Sequence, residues 1–217
     1  MKDSILVYSG GMDSTTLLYD EADRIGLAVF FNYGSKHNPT EIKYAQHNAD
    51  KLEIPFKVID LREVFSHFKS NLLEGGDAIP KGHYEDESMK KTVVPFRNGI
   101  MMAIASGIAE SNAFRRVLLA SHFGDHAIYP DCRQMFSNAM KTAVYEGTWE
   151  HIEICTPYTE LTKREIALLG TQMDKLDYRM TWSCYEGGHT HCGECGTCTE
   201  RKEALEGFDK TTYLVKT

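Results

Sequence analysis

The sequence has no apolar run approaching the roughly 20 residues needed to span a bilayer, so a membrane-spanning protein is not expected. It has no internal repeat and no low-complexity linker, which excludes a solenoid and a tethered multidomain array. Its first residues, Met1-Lys2-Asp3-Ser4, lead straight into an apolar run, leaving no room for a leader peptide and predicting a cytosolic chain. Basic charge is in deficit as well. A net charge of −7 speaks against a protein whose main work is to hold a nucleic-acid backbone, and no stable nucleic-acid binding is expected. With 217 residues, 42% hydrophobic and 25% charged, the chain has room for one α/β core and a small appendage.

Strand-like runs at Ile5–Ser9, Ala28–Tyr33, Phe56–Leu61 and Val117–Ser121 alternate with helical spacing at Thr15–Ile25, Glu41–Leu52 and Ile100–Ala113. The alternation predicts a parallel, doubly wound α/β sheet. Leu17, Leu18 and Ala22 share one helical face, and Tyr44, Ala45, Asn48 and Leu52 share another, as core contacts would. Thr162-Lys163-Arg164-Glu165 has the form of a capping box opening a helix to about Gly170. That spacing sets Lys163 at the positive end of a helix dipole, where a lysine is unfavourable unless an anion is present, so it reads either as an anion-binding residue or as a solvated surface lysine. Between Ser70 and Thr92 the pattern breaks into glycines, a proline and the charged run Glu85-Asp86-Glu87, either a lid or a plain surface loop.

Chemistry is densest at both ends. Ser9-Gly10-Gly11-Met12-Asp13-Ser14 lies between the first strand and the first helix, where two glycines let the backbone approach an anion and Asp13 or Ser14 can cap the helix. The lysine of a Walker loop is missing, so the cations that neutralise a bound phosphate must come from elsewhere in the chain. At the other end, Cys184, Cys192, Cys195 and Cys198 have the number and spacing of a structural tetrathiolate zinc site, with an iron–sulfur cluster as the competing reading. His189 and His191 inside that segment read as loop residues. Cys132 and Cys155 stand apart.

The loop Ser9–Ser14 resembles the pyrophosphate loop of the N-type ATP pyrophosphatases, which transfer AMP to an oxygen. Five further segments join it: Asn32-Tyr33-Gly34-Ser35-Lys36-His37, Val94-Pro95-Phe96-Arg97-Asn98, Tyr129-Pro130-Asp131-Cys132-Arg133, Thr162–Ile166 and Trp182-Ser183-Cys184-Tyr185. Taken in this order from about Val7 to Arg201, the set resembles the 7-cyano-7-deazaguanine synthases; Asn32 departs from it, standing where the family often has aspartate. The resemblance implies an adenine-nucleotide α-hydrolase-like sheet over residues 1–180 and a zinc knuckle with a C-terminal helix over residues 181–217. It implies a carbon–nitrogen ligase of queuosine-precursor biosynthesis, acting on 7-carboxy-7-deazaguanine, ammonia and ATP as a cytosolic homodimer with one structural Zn2+ and with Mg2+.

In that picture Tyr8, Ser9, Gly10, Gly11, Met12, Asp13, Ser14, Thr15, Thr16, Leu17 and Leu18 hold ATP, Asp13 through magnesium. Lys163 and Arg97 counter charge on the phosphates. Asp131 accepts from the ring N1–H and amino group unless it is only a turn residue after Pro130, and Arg133 is a weaker substrate contact. Tyr185 or Phe96 either stacks on the ring or belongs to the core. His37 and Glu41, four apart, read as an exposed pair rather than a proton-transfer pair. Rival readings are a sibling that stops at the amide, a tRNA-thiolating relative using Cys132 and Cys155, and a zinc-knuckle binding module without turnover.

Overall fold

The computed structural model describes residues 2–82, 86–122, 124 and 128–214. Among these, five strands form one sheet in the order β3-β2-β1-β4-β5, with every neighbouring pair parallel. They are β1 (Ser4–Val7), β2 (Ile25–Asn32), β3 (Phe56–Asp60), β4 (Arg116–Leu118) and β5 (Glu153–Cys155). The helices are α1 (Met12–Asp20), α2 (Asn38–Lys51), the single turn α3 (Arg62–Phe65), α4 (Arg97–Ser111), α5 (Gln134–Gly147), α6 (Lys163–Thr171) and α7 (Gly196–Ala204).

Parallel strands need helical crossovers, and the helices cover both faces. Side-chain alternation along β1 shows the division. Ile5 and Val7 join Met101, Met102 and Ala105 of α4 and Val144 of α5. Leu6 and Tyr8 join Leu17 and Leu18 of α1, Ala45 of α2 and Ile166 of α6. The stretch 87–111 has the length and apolarity of a membrane crossing, yet its Met101, Met102, Ala105 and Ala109 are buried in the sheet's core.

The expected elements are present with shifted ends. The first helix runs Met12–Asp20 rather than Thr15–Ile25, because a turn at 21–24 hands Ile25 to β2. Neither Asp13 nor Ser14 caps it: Gly11 is the N-cap residue and no side chain caps the end, while Asp13 already lies in the first turn. The capping box at Thr162 and Glu165 forms in full. The 70–92 segment, where described, is a strap tied to the body: Leu72, Leu73, Ile79 and Met89 are buried, and Lys36 Nζ donates to the carbonyls of Gly76 and Asp77. Glu85 of its charged run lies outside the described residues.

The last segment packs into the same core. Trp182, Cys184, Cys195 and Cys198 belong to the cluster that contains Ile5 and Val117. Arg201 of α7, fully buried, donates to the Tyr178 carbonyl and to the hydroxyls of Thr181, Ser183 and Thr211. A guanidinium needs this many acceptors to be buried without large cost.

Candidate active site

In an open parallel sheet the crevice forms beyond the carboxyl ends of strands where the winding reverses. Here that point lies between β1 and β4, and a cleft of about 1110 Å³ opens there. The loop after β1 forms one wall. Gly10 has φ of +79°, and a Cβ there would come within 2.9 Å of the Ala45 nitrogen and the Glu41 carbonyl, so only glycine lets α2 approach this closely. Its carbonyl accepts from Trp182 N at 3.0 Å. The hydroxyls of Ser9 and Ser14 lie 3.0 Å apart, and Gly11 N–H donates to Ser9 Oγ.

The loop's own residues and the helix behind it part company. Tyr8, Ser9, Gly11, Met12, Asp13 and Ser14 line the cleft. Thr15, Thr16, Leu17 and Leu18, expected to touch nucleotide, lie outside this lining. Leu17 and Leu18 are fully buried against the sheet, worth roughly 1.5–3 kcal/mol each. Thr16 Oγ1 is within 2.9 Å of Tyr178 OH, and Thr15 Oγ1 within 3.1 Å of Tyr8 OH.

Opposite the loop, α6 brings Lys163 over Asp13. Its Nζ lies 3.1 Å from Asp13 Oδ2 and donates to Glu200 Oε2 of α7 at 2.8 Å. His122, just past β4, sits 3.8 Å from Asp13 and 3.9 Å from Glu200. Lys163 thus has its anion at the helix N-terminus, supplied by two carboxylates. Asp13 Oδ1 is buried with no hydrogen-bond partner among the described residues. Sequence reading missed His122 and Glu200. The available signals were the position of His122 one residue beyond the expected strand Val117–Ser121, and an acid two residues after the last clustered cysteine.

The inner end of the cleft is lined by Tyr33, His37, Asn38, Glu41, Arg97, Asn98, Tyr129, Cys132 and Tyr185. His37 and Glu41 are 3% and 9% exposed, which overturns the expected exposed pair. The helix α2 begins at Asn38, one turn earlier than anticipated, and turns both side chains inward. Burial, assisted by Arg97, pushes the His37 imidazole down to about 3. Burial pushes the Glu41 carboxyl up to about 8, against the Asn38 amide bond and Arg97. At 3.7 Å the two are therefore neutral neighbours near pH 7 rather than an ion pair. Burial works against the Arg97 charge, but Tyr33 and Asp131 hold the guanidinium well above its ordinary range. Arg97 donates to Tyr33 OH, which lies 3.2 Å from His37 Nε2.

Asp131 is buried but does not line the cleft; its Oδ2 accepts from Asn98 N–H at 2.8 Å and anchors the start of α4. Arg133, at the start of α5, is exposed and outside the cleft lining. Phe96 is 56% exposed and packs edge-on to Phe136, whereas Tyr185 faces the cleft. Asn32 accepts from Gly34 N–H in the turn after β2.

Below the cleft, the four sulfurs of Cys184, Cys192, Cys195 and Cys198 lie within 4.8 Å of one another. A tetrahedron with metal–sulfur bonds of about 2.3 Å has sulfurs about 3.8 Å apart, and Cys192 and Cys198 are 3.9 Å apart. The N–H groups of Cys192, Glu194 and Cys195 point at sulfur, and the neighbouring thiols Cys184, Cys195 and Cys198 draw Cys192 towards the thiolate. These cysteines fit a bound zinc ion. His191 instead stacks on Trp182 and accepts from Ser183 N–H, and His189 is exposed.

A doubly wound parallel sheet with a Ser-Gly-Gly-Met-Asp-Ser loop at the end of its first strand, and with a four-cysteine cluster beside it, defines an α/β protein of the adenine-nucleotide α-hydrolase-like type. Consistent with this, the solved NMN synthetase from Francisella tularensis superposes with a TM-score of 0.51 at 12% identity, covering 88% of this chain and 71% of that one. Within that class the chain belongs to the family described as queuosine biosynthesis protein QueC, whose model it matches over residues 3–209. It is 53% identical over 215 residues to the 7-cyano-7-deazaguanine synthase of Porphyromonas gingivalis, covering 98% of this chain and 97% of that one. To the 7-cyano-7-deazaguanine synthase of Desulfotalea psychrophila it is 51% identical over 220 residues, covering 99% and 100%. The family is one of carbon–nitrogen ligases.

Proposed function

We propose that this chain converts 7-carboxy-7-deazaguanine, ammonia and ATP to 7-cyano-7-deazaguanine, AMP and pyrophosphate by adenylating first the carboxylate and then the amide. The observation that carries this reading is the joining of two unlike walls in one cleft: an anion-binding loop with Lys163 at one side, and a buried aromatic pocket with Arg97 and Glu41 at the other. A single loop serves both adenylations, because acid and amide present their oxygen at the same place.

A carboxylate is a poor electrophile until its oxygen carries a good leaving group. Ser9, Gly10, Gly11 and Ser14 hold the pyrophosphate end of ATP, with the unpartnered Asp13 Oδ1 as the site for Mg2+, a hard cation suited to carboxylate and phosphate oxygens. Lys163 leaves its carboxylate partners for the α-phosphate as charge develops there, and Arg97 offsets the substrate carboxylate. Tyr185 stacks on the deazapurine. Asp131 acts through Asn98 and Arg97, supporting the groups that touch the ring, and Arg133 has no part in the pocket. Zinc at the four cysteines is structural, since four thiolates leave no open coordination position.

The protein acts in the cytosol and pairs as a homodimer. Met135, in the first turn of α5, and Trp149, in the turn just beyond that helix, are 86% and 89% exposed, an apolar cost that a second copy removes. Thiolation through Cys132 and Cys155 fits poorly, because they pack in different clusters, Cys132 with Met89 and Cys155 on the α6 face. Mass spectrometry after incubation with the carboxylate, ammonium and ATP tests the reading. Nitrile with AMP is expected; amide as the end product would identify the amide-forming sibling, and no AMP would leave only a binding module.

A further inference from the structure

The reaction proposed above gives Glu41, a carboxyl in the cleft, no task. Glu41 lines the cavity from the first turns of α2, and its backbone carbonyl packs against Gly10 of the pyrophosphate loop. Its carboxyl is bonded to Asn38 Nδ2 at 3.2 Å and neighbours His37, which reaches Arg97 through Tyr33. It therefore stands between the Ser9–Ser14 loop and the aromatic pocket.

We infer that Glu41 is the base that removes the nitrogen proton when the adenylated amide collapses to the nitrile, a role that rests on the nitrile-forming reading above. Adenylation of the amide oxygen expels pyrophosphate and gives R–C(O–AMP)=NH2+. One nitrogen proton goes to solvent, leaving the neutral imidate. The carboxylate of Glu41 takes the other, the freed N–H pair becomes the third carbon–nitrogen bond, and the C–O bond breaks with its electrons leaving on AMP. No electron acceptor is needed, and the substrate oxygen ends on AMP. The earlier step makes less demand, because ammonia attacks as the free base and the ammonium formed on carbon is acidic enough to lose its proton to water.

The other candidates in the cleft are committed. Asp13 and Glu200 are bonded around Lys163 at the phosphate end. Asp131 is outside the lining and bonded to Asn98. Cys132 Sγ accepts from the Asn98 amide. His37 is held neutral and, with a value of about 3, is a weak base. Glu41, at about 8, is the opposite: its ionised form is a strong base for a carboxylate, and it is available near working pH. The charged and titratable groups around it are His37 on its own helix, Arg97 on α4, Tyr33 at the end of β2, Tyr185, and, across the cleft, Asp13 and Lys163.

The test supplies the carboxylate and the amide separately, each with ATP, to wild-type protein and to Glu41→Gln. The variant is expected still to form amide from the carboxylate and to accumulate it, while nitrile formation from supplied amide falls by a hundredfold or more, in line with the usual gain of about 10²–10⁴ from general base catalysis. Wild-type nitrile formation should rise with pH through about 8, and this limb should vanish in the variant. Glu41→Ala, assayed with added formate, guards against a merely structural loss: recovered nitrile formation supports the assignment. Nitrile formation within threefold of wild type, or equal loss of both half-reactions without formate rescue, overturns it. If wild-type protein releases no AMP from either substrate, the reaction reading itself has failed, a result distinct from any variant effect.

Discussion

Replacing Lys163 with alanine separates electrostatic catalysis from stability. In the free protein its ammonium lies between Asp13 and Glu200, the three side chains 12–17% exposed, and His122 Nε2 lies 3.8 and 3.9 Å from the same two carboxylates. Removing one partner of a fully buried pair costs about 3–5 kcal/mol, and the remaining solvent access here lowers that to roughly 1–3 kcal/mol. For a chain of this size each kcal/mol moves Tm by about 2–4 °C, so calorimetry should show a fall of roughly 2–12 °C. The rate effect should be larger. Losing a preorganised cation at a developing phosphate charge costs about 10²–10³ in rate, and AMP release in single turnover should fall by that factor with substrate binding largely kept. The double variant Lys163→Met with Glu200→Gln removes the carboxylate left facing Asp13, and should regain most of the stability but none of the rate. AMP release within threefold of wild type in Lys163→Ala would refute the role, whatever happens to Tm.

Three other outcomes are expected. Gly10→Ala forces a Cβ to within 2.9 Å of α2 backbone at a φ of +79°; thermal denaturation should show destabilisation of at least 1–3 kcal/mol and ATP binding should be lost by calorimetry. Metal analysis should find one zinc per chain, and Cys198→Ser or a strong chelator should lower the melting of the entire domain in one transition, because Cys184, Cys195 and Cys198 share the core of β1 and β4; two separate transitions would contradict that shared core. Met135→Lys with Trp149→Lys should turn a dimer into a monomer by sedimentation with the fold intact, and an unchanged sedimentation coefficient would remove α5 from the interface.

The parts legible in the sequence were those carried by local spacing. The apolar run before Ser9, the capping box at Thr162 and the Cys-x2-Cys-x2-Cys run each contain their own physical reason within a few residues, and all three took the anticipated form. The inward face of Leu17 and Leu18 was expected from helical spacing, but how far the cleft runs along α1 was not, because only the sheet beneath decides which residues after Ser14 line it. Glu200 and His122 were invisible for a similar reason. Their meaning lies in meeting Lys163 and Asp13, brought together by α6, α7 and the end of β4 from distant parts of the chain. The burial of His37 and Glu41 likewise depends on Tyr185 and Arg97 closing over the start of α2.

The bond from Trp182 N–H to the Gly10 carbonyl has a consequence for biosynthesis. During translation the motif at residues 9–14 leaves the ribosome early, but the groups that complete it, Lys163, Trp182 and Glu200, emerge near the end. The Ser9–Ser14 loop therefore takes its finished form only once these late residues are in place, and since Trp182 and Cys184 are held in one core, it comes to completion together with the cysteine cluster. A chain truncated before Trp182 lacks the bond that holds the Gly10 carbonyl.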